Sequence, residues 1–193
     1  MLDTNQLECI LSNISEGFNV TTGVLPCDEV HTVESSRFAI IINSDPHYLP
    51  GTHWLAFFRD SPDSVFEFYD SLAQDPSSYG EDFINFIKLQ GGNCRRSLIQ
   101  IQDVKQTTCG NHCVFYLYKR LRGFLMDEIV NEFDHKDLTK NDHFVVRFTD
   151  QVIKSTSNNT SVPTTNFIQI NISLGNLQPY PNYCLVCNPK IMT

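Results

Sequence analysis

A cysteine that starts a helix is placed for nucleophilic chemistry, and Cys109 is such a residue. The run Gln102-Asp103-Val104-Lys105-Gln106-Thr107-Thr108-Cys109-Gly110 leaves a strand-like segment and enters an amphipathic helix carrying Val114, Leu117, Leu121, Phe124 and Leu125 at helical spacing. The first-turn N–H groups of a helix lack intrahelical partners and carry about half a positive charge, which stabilises a thiolate. Lys119, Arg120 and Arg122 fall in the later turns, where cations suit the opposite end of the dipole.

A thiolate nucleophile needs a base, and His53 opens the apolar segment Trp54–Phe58 just after the turn residue Gly51. A second segment, Val65–Asp70, follows the turn Asp60-Ser61-Pro62-Asp63-Ser64, so the two are expected to pair as a hairpin. This brings Asp70 or Glu67 beside His53, where a carboxylate would fix the imidazole tautomer and stabilise imidazolium. The two acids are three residues apart and point to opposite faces of a strand, so only one can serve, and Asp70, at the strand end, is preferred. His112, one turn after Cys109 on the same helix, is a rival base.

These residues must be held by a small sheet packed on the helix of Cys109. Phe38–Asn43, His53–Phe58, Val65–Asp70 and the alternating Ser97–Gln102 read as strands. Leu7, Ile10, Leu11 and Ile14 form an apolar stripe ending at Gly17. Ser78-Tyr79-Gly80-Glu81 has the form of a capping box before Phe83, Ile84 and Ile87, a second helix stopped by Gly91-Gly92. Met126–Phe133 and His143–Ile153 read as helices, residues 155–165 as a loop, and Phe167–Ile172 as a late strand. The fold class is α+β. Residues 1–193 are expected to form a single domain, with 166–193 a C-terminal extension to which the sequence assigns no role.

The order and context of these residues carry a resemblance. Gly51-Thr52-His53-Trp54-Leu55-Ala56-Phe57, Phe68-Tyr69-Asp70-Ser71, then Gln102 and Cys109-Gly110 with Cys113, resemble adenain, the adenovirus-type cysteine protease. The likeness runs from the N-terminal helix to about Arg122. Gly23–Glu29 and Asn43–Pro46 are similar to adenain-like proteases of Polinton (Maverick) elements and related virus-like genomes. Adenovirus enzymes generally carry Glu where this chain has Asp70, and either carboxylate can orient an imidazole.

By this resemblance Gln102 donates its side-chain amide to an oxyanion together with the Cys109 N–H, while Gln100 and Gln106 do not lie at the adenain-like distance from the cysteine. Trp54 would form a wall of the substrate site. The fold would be the cysteine-protease fold shared by adenain and the SUMO-specific proteases. The reaction would be endoproteolytic cleavage of virus-like structural precursors beside small residues, often Gly. Leu89-Gln90-Gly91-Gly92-Asn93 is itself of that form and marks a place for self-cleavage, although it also reads as a helix C-cap. Two alternatives keep the same residues: a protease of ubiquitin-like modifiers, and an inactive binding or capsid-associated relative.

The resemblance also implies DNA and a peptide as activators. The chain carries a net charge of −8, which opposes phosphate neutralisation, so DNA is disfavoured. The short basic runs Arg95-Arg96 and Lys119–Arg122 are the local exceptions. Cys94 lies in the region where an activating peptide would attach, without matching the family's spacing. The chemistry itself calls for no metal and no cofactor; Cys184-Leu185-Val186-Cys187 has knuckle spacing but lacks a second pair of ligands.

Composition excludes other classes. With 193 residues, 41% of them hydrophobic, the chain can bury one sizeable core, and its apolar runs fall well short of a membrane span. The first residues lack a basic region followed by an apolar one, so an intracellular location (host nucleus or cytoplasm, or packaging in virus-like particles) and no secretion are expected. The five Asn-X-Ser/Thr triplets, at Asn13, Asn19, Asn158, Asn159 and Asn171, are then not glycosylation sites. Seven cysteines, an odd number, suit free thiols in a reducing compartment. A monomer acting on polypeptide substrates is expected.

Overall fold

The computed structural model describes residues 1–157 and the strand pair 184–185. The expected loop from 158 onward, the strand Phe167–Ile172, Cys187 and the triplets at Asn158, Asn159 and Asn171 lie outside the described residues.

Helix α1 (Thr4–Ser15) begins with a capping box: the Asp3 carboxylate accepts from the Gln6 N–H at 2.8 Å, and the Gln6 side chain accepts from the Asp3 N–H at 3.0 Å. Its stripe of Leu7, Ile10, Leu11 and Ile14 is buried. The strands are β1 (Thr21–Pro26), β2 (Phe38–Asn43), β3 (Trp54–Arg59), β4 (Phe66–Tyr69), β5 (Cys94–Arg96) and β6 (Cys184–Leu185). The helices that follow are α2 (Glu81–Leu89), α3 (Cys109–Leu121), α4 (Met126–Asn131) and α5 (Leu138–Ser157).

The strands form one mixed sheet in the order β1-β2-β3-β4-β5-β6. β1 runs parallel to β2 and β4 parallel to β5, whereas β2–β3, β3–β4 and β5–β6 are antiparallel. Both faces of β2 and β3 are covered, and for this reason their sequences read as unbroken apolar runs. Ala39, Ile41, Trp54, Ala56, Phe58 and Tyr69 join the core that contains α1, α3 and α5. Phe38, Ile40, Ile42, Leu55, Phe57 and Phe68 join the core that contains Phe83, Phe86 and Ile87 of α2. The helix carrying Cys109 is central: every residue from Cys109 to Leu117 is buried.

Glu67 fastens this helix to the sheet. Its buried carboxylate accepts from the Tyr116 hydroxyl at 2.5 Å and from Arg120 Nε at 2.6 Å, while the Tyr69 and Tyr116 rings stack at 4.1 Å. Glu67 is thereby committed to the helix face of the sheet, away from His53.

Four sequence expectations need correction. Ser78 does not cap α2; it lies inside a short 3-10 turn, Pro76–Tyr79, whose cap is Asp75. Pro76 pre-sets the backbone for that earlier turn, and α2 starts only after Gly80, with Glu81 and Asp82 in its first turn. The strand expected over Ser97–Gln102 lies instead at Cys94–Arg96, paired to Phe66–Phe68. Ser97 then turns the chain by accepting the Ile99 N–H at 3.2 Å. Helix α5 is longer than its apolar pattern, reaching Ser157, so the loop expected from Ser155 does not begin there. His53 lies one residue before β3 rather than within it.

Candidate active site

Asp70, His53 and Cys109 come together at one end of the sheet. The register Ala56↔Tyr69, continued one step, sets Asp70 opposite Leu55 and on the same side of the pleat as His53, two residues away. His53 Nε2 lies 2.8 Å from Asp70 Oδ1. Cys109 lies near enough to act on the same imidazole, adding to the influence of Asp70 on its protonation.

The loop before His53 is fixed by its backbone. Gly51 has φ +85°, and a Cβ there would lie 2.2 Å from Asn43 Nδ2, so only glycine fits. The His53 carbonyl accepts from the Ser44 N–H at 2.9 Å.

Asp70 is fully engaged. Besides His53 it accepts from the Leu72 N–H (2.9 Å), the Gln74 N–H (2.9 Å) and the Tyr79 hydroxyl (2.7 Å). Burial raises its pKa, but the bonds to His53, Tyr79 and Leu72 outweigh burial and hold it below the usual carboxylate range. For His53, burial is the largest influence and lowers the pKa; the bonds and charges of Asp70 and Cys109 together reverse it, raising the pKa to about 9. The Tyr79 ring stacks on the imidazole at 5.8 Å and 19°, a geometry that favours the cationic form. Sequence reasoning missed Tyr79, because nothing in its local pattern sets it apart from a turn residue.

Cys109 opens α3 and is 1% exposed. Close packing of that helix end depends on Gly110, where a Cβ would meet Trp54 Cδ1 at 3.3 Å and Leu7 Cδ2 at 3.4 Å. Trp54 is itself buried, and its indole N–H donates to the Leu2 carbonyl at 3.0 Å. The neighbouring Cys113 thiol faces the Trp54 carbonyl at 3.4 Å, and burial pushes its pKa well up, which keeps it protonated.

Gln102 is held in one orientation. The Ser71 hydroxyl donates to its Oε1 at 2.5 Å, so its Nε2 is the donor end, and one N–H goes to the Gln106 carbonyl at 3.0 Å. The second N–H remains for another acceptor. Gln100 supports this arrangement by donating to the Gln102 carbonyl at 2.8 Å. Ser71 directly follows Asp70, and its carbonyl accepts from the N–H groups of Ile101 and Gln102 at 2.9 and 3.1 Å. The acid strand and the glutamine loop are thereby joined.

His112 forms a second, separate pair. It is fully buried, with Nε2 at 3.1 Å from Asp142 Oδ1, and burial keeps its pKa low. His112 Nε2 is thus committed to Asp142, while the imidazole beside Asp70 is that of His53.

Most of the short basic runs is ion-paired within the chain, Arg122 instead lying over the Tyr118 ring. Arg96 meets Asp75 at 3.0 Å, Arg95 meets Asp127 at 3.3 Å, and Lys119 meets Glu132 at 2.6 Å. Cys94 is wholly buried, and burial raises its pKa. Among the described residues no three His, Cys, Asp or Glu side chains are grouped to hold a metal ion, and no helix is long and apolar enough to cross a membrane.

No family model matches the chain. A protein of Acanthamoeba polyphaga mimivirus is 26% identical over 151 aligned residues, a match covering 67% of this chain and 50% of the relative. Its name describes it as a candidate thiol protease. The likeness is to a giant-virus protein of that kind. The chain spans about half the length of this curated relative, and the match supports a cysteine protease in general.

Proposed function

We propose that this protein is an adenain-like cysteine endopeptidase that cleaves viral or virus-like structural precursors beside small residues. The observation that carries the reading is the imidazole of His53, 2.8 Å from the Asp70 carboxylate and close enough to Cys109 to feel its influence. Three groups in that order make a nucleophile, a base and the acid that orients the base.

In the proposed reaction the Cys109 thiolate attacks the scissile carbonyl carbon and the carbonyl electron pair moves onto oxygen. The Cys109 N–H and the uncommitted Nε2 proton of Gln102 receive that oxyanion; donors of this kind are worth about 3 kcal/mol each. His53 Nδ1–H protonates the leaving amine as the C–N bond breaks, leaving a thioester and a neutral imidazole. The same nitrogen then takes a proton from water, whose oxygen attacks the thioester, and Cys109 departs as thiolate. Asp70 keeps Nε2 paired throughout. Trp54, buried against the start of α3, would become a wall of the substrate site as peptide enters. All these steps use side chains and backbone, and they call for no metal. Activation by DNA is disfavoured, because the net charge is −8 and Arg95, Arg96, Lys119 and Arg120 are ion-paired.

The test is cleavage of peptides bearing Leu-X-Gly-Gly or Leu-X-Gly-X-Gly, with and without DNA, by wild type, Cys109→Ala, His53→Ala and His112→Ala. Cleavage that disappears with Cys109 or His53 and persists without His112 is expected. Processing of ubiquitin-like precursors with inert peptides would favour the modifier-protease alternative. No cleavage of any substrate would favour a binding protein.

A further inference from the structure

The two donors proposed for the oxyanion come from separate segments, Gln102 from a loop and Cys109 from the start of a helix. Their separation must be fixed to a fraction of an ångström for both to reach one oxygen. One buried carboxylate touches both segments. Asp142, in the second turn of α5, accepts the Asp103 N–H on Oδ2 at 3.1 Å, immediately after Gln102. On Oδ1 it accepts the Thr108 hydroxyl in a short hydrogen bond, immediately before Cys109. The same oxygen receives His112 Nε2 at 3.1 Å from one turn further along α3.

Asp142 is 1% exposed, and its bonds to His112, Thr108 and Asp103 outweigh the effect of burial and keep it ionised. The residue before it completes the attachment: Asn141 Nδ2 donates to the Ile101 carbonyl at 2.9 Å, on the other side of Gln102. Thr139 adds a bond to the Asp103 carboxylate at 3.3 Å. The first turns of α5 therefore grip the peptide on either side of Gln102 and the residue that precedes Cys109.

We propose that Asp142 is a positioning residue that holds Gln102 and Cys109 in register for a shared oxyanion. This inference rests on the protease reading and adds to it a residue outside the Cys-His-Asp group. Asp142 acts through hydrogen-bonded backbone and hydroxyl groups and does not meet the substrate. The pairing of His112 with Asp142 accounts for a histidine one turn after the nucleophile that does not serve as its base: its Nε2 is committed to the carboxylate.

Asp142→Asn and Thr108→Val release the two grips one at a time. An asparagine carbonyl can still accept from Thr108 and His112, but its NH2 faces the Asp103 N–H donor to donor. Valine keeps the shape of Thr108 without the hydroxyl, and Thr108→Ser keeps the hydroxyl. The measurements are kcat and KM for peptide cleavage, the rate of Cys109 alkylation by iodoacetamide, and amide hydrogen exchange over residues 101–108. Asp142→Asn and Thr108→Val are each expected to lower kcat about 100-fold with KM nearly unchanged. Cys109 alkylation should stay within about twofold of wild type, because the His53–Asp70 pair is untouched. Exchange over 101–108 should accelerate in Asp142→Asn, and Thr108→Ser should recover most of what Thr108→Val loses.

An unchanged kcat in both variants, or alkylation that falls in step with kcat, would overturn the proposal. If wild type cleaves neither these peptides nor ubiquitin-like precursors, the protease reading fails and the oxyanion role of Asp142 falls with it. Unchanged exchange in Asp142→Asn would remove the positioning role even in an active protease.

Discussion

Replacing Asp70 by Asn preserves the shape of the side chain and removes the charge that raises the pKa of His53. In the native site burial opposes protonation of the imidazole, and Asp70 together with Cys109 overcomes it to reach about 9. Without the carboxylate, burial acts with less opposition, and the His53 pKa should fall to the ordinary value of about 6.5 or below. At pH 7.5 a pKa of 9 leaves the imidazole almost wholly protonated, whereas a pKa of 6.5 leaves about a tenth in that form. The leaving-group acid would thus be depleted about tenfold from titration alone.

The same shift has a stability sign. A rise from 6.5 to about 9 corresponds to roughly 3 kcal/mol of folding free energy. That contribution is fully present below pH 6.5 and is lost as pH climbs through about 9. Asp70's lowered pKa contributes in the opposite direction: it is present above about 3.8 and lost as pH falls through the folded value. The stability gap between wild type and Asp70→Asn should therefore be widest between about pH 4 and 6.5, and should narrow toward pH 10. The assays are NMR titration of the His53 ring protons, identified by loss of the signal in His53→Gln, and urea unfolding across that pH range. A His53 titration that stays near 9 in Asp70→Asn would refute the reasoning. So would a stability gap that does not depend on pH.

Other substitutions separate the roles of neighbouring groups. Gln102→Ala should lower kcat by about 100-fold or more, with Cys109 alkylation by iodoacetamide unchanged, because an oxyanion donor does not act on the nucleophile before substrate binds. Ser71→Ala removes the 2.5 Å bond that orients the Gln102 amide, and a kcat loss of about tenfold is expected, smaller than that of Gln102→Ala. Tyr116→Phe strips the buried Glu67 of one donor; urea unfolding should show a loss of about 1–3 kcal/mol, with the His53 titration unmoved. Under iodoacetamide near neutral pH, Cys109 should label faster than the exposed Cys9 despite its burial, as peptide mapping by mass spectrometry would show.

The proposed nucleophile, base and acid were legible in the sequence as candidates, each at a boundary with its own local signal, and their order and context carried the resemblance that joined them. Cys109 lies at a helix start, His53 beside a strand start and Asp70 at a strand end, positions that periodicity and turn residues reveal without tertiary information. Strand alternation lets only one of Asp70 and Glu67 serve and the strand end favours Asp70; in the structure Glu67 is taken by Tyr116 and Arg120 on the opposite face. Where short-range signals competed, the sequence misled. Ser78 looked like a cap, but Asp75 and Pro76 had already captured that turn, and the apolar alternation of Ser97–Gln102 lay beyond the reach of the short strand β4.

Tertiary structure alone decided which residues support the site. Tyr79 reaches His53, Ser71 reaches Gln102 across 31 positions, and Asp142 reaches Thr108 across 34. Such contacts depend on how α5, the glutamine loop and the sheet end pack together, and a chain read residue by residue carries no record of those distances. Residue type and local spacing determined what each side chain could do; packing determined which donor and acceptor lie within 3 Å of one another, and hydrogen-bonded chemistry depends on that second condition.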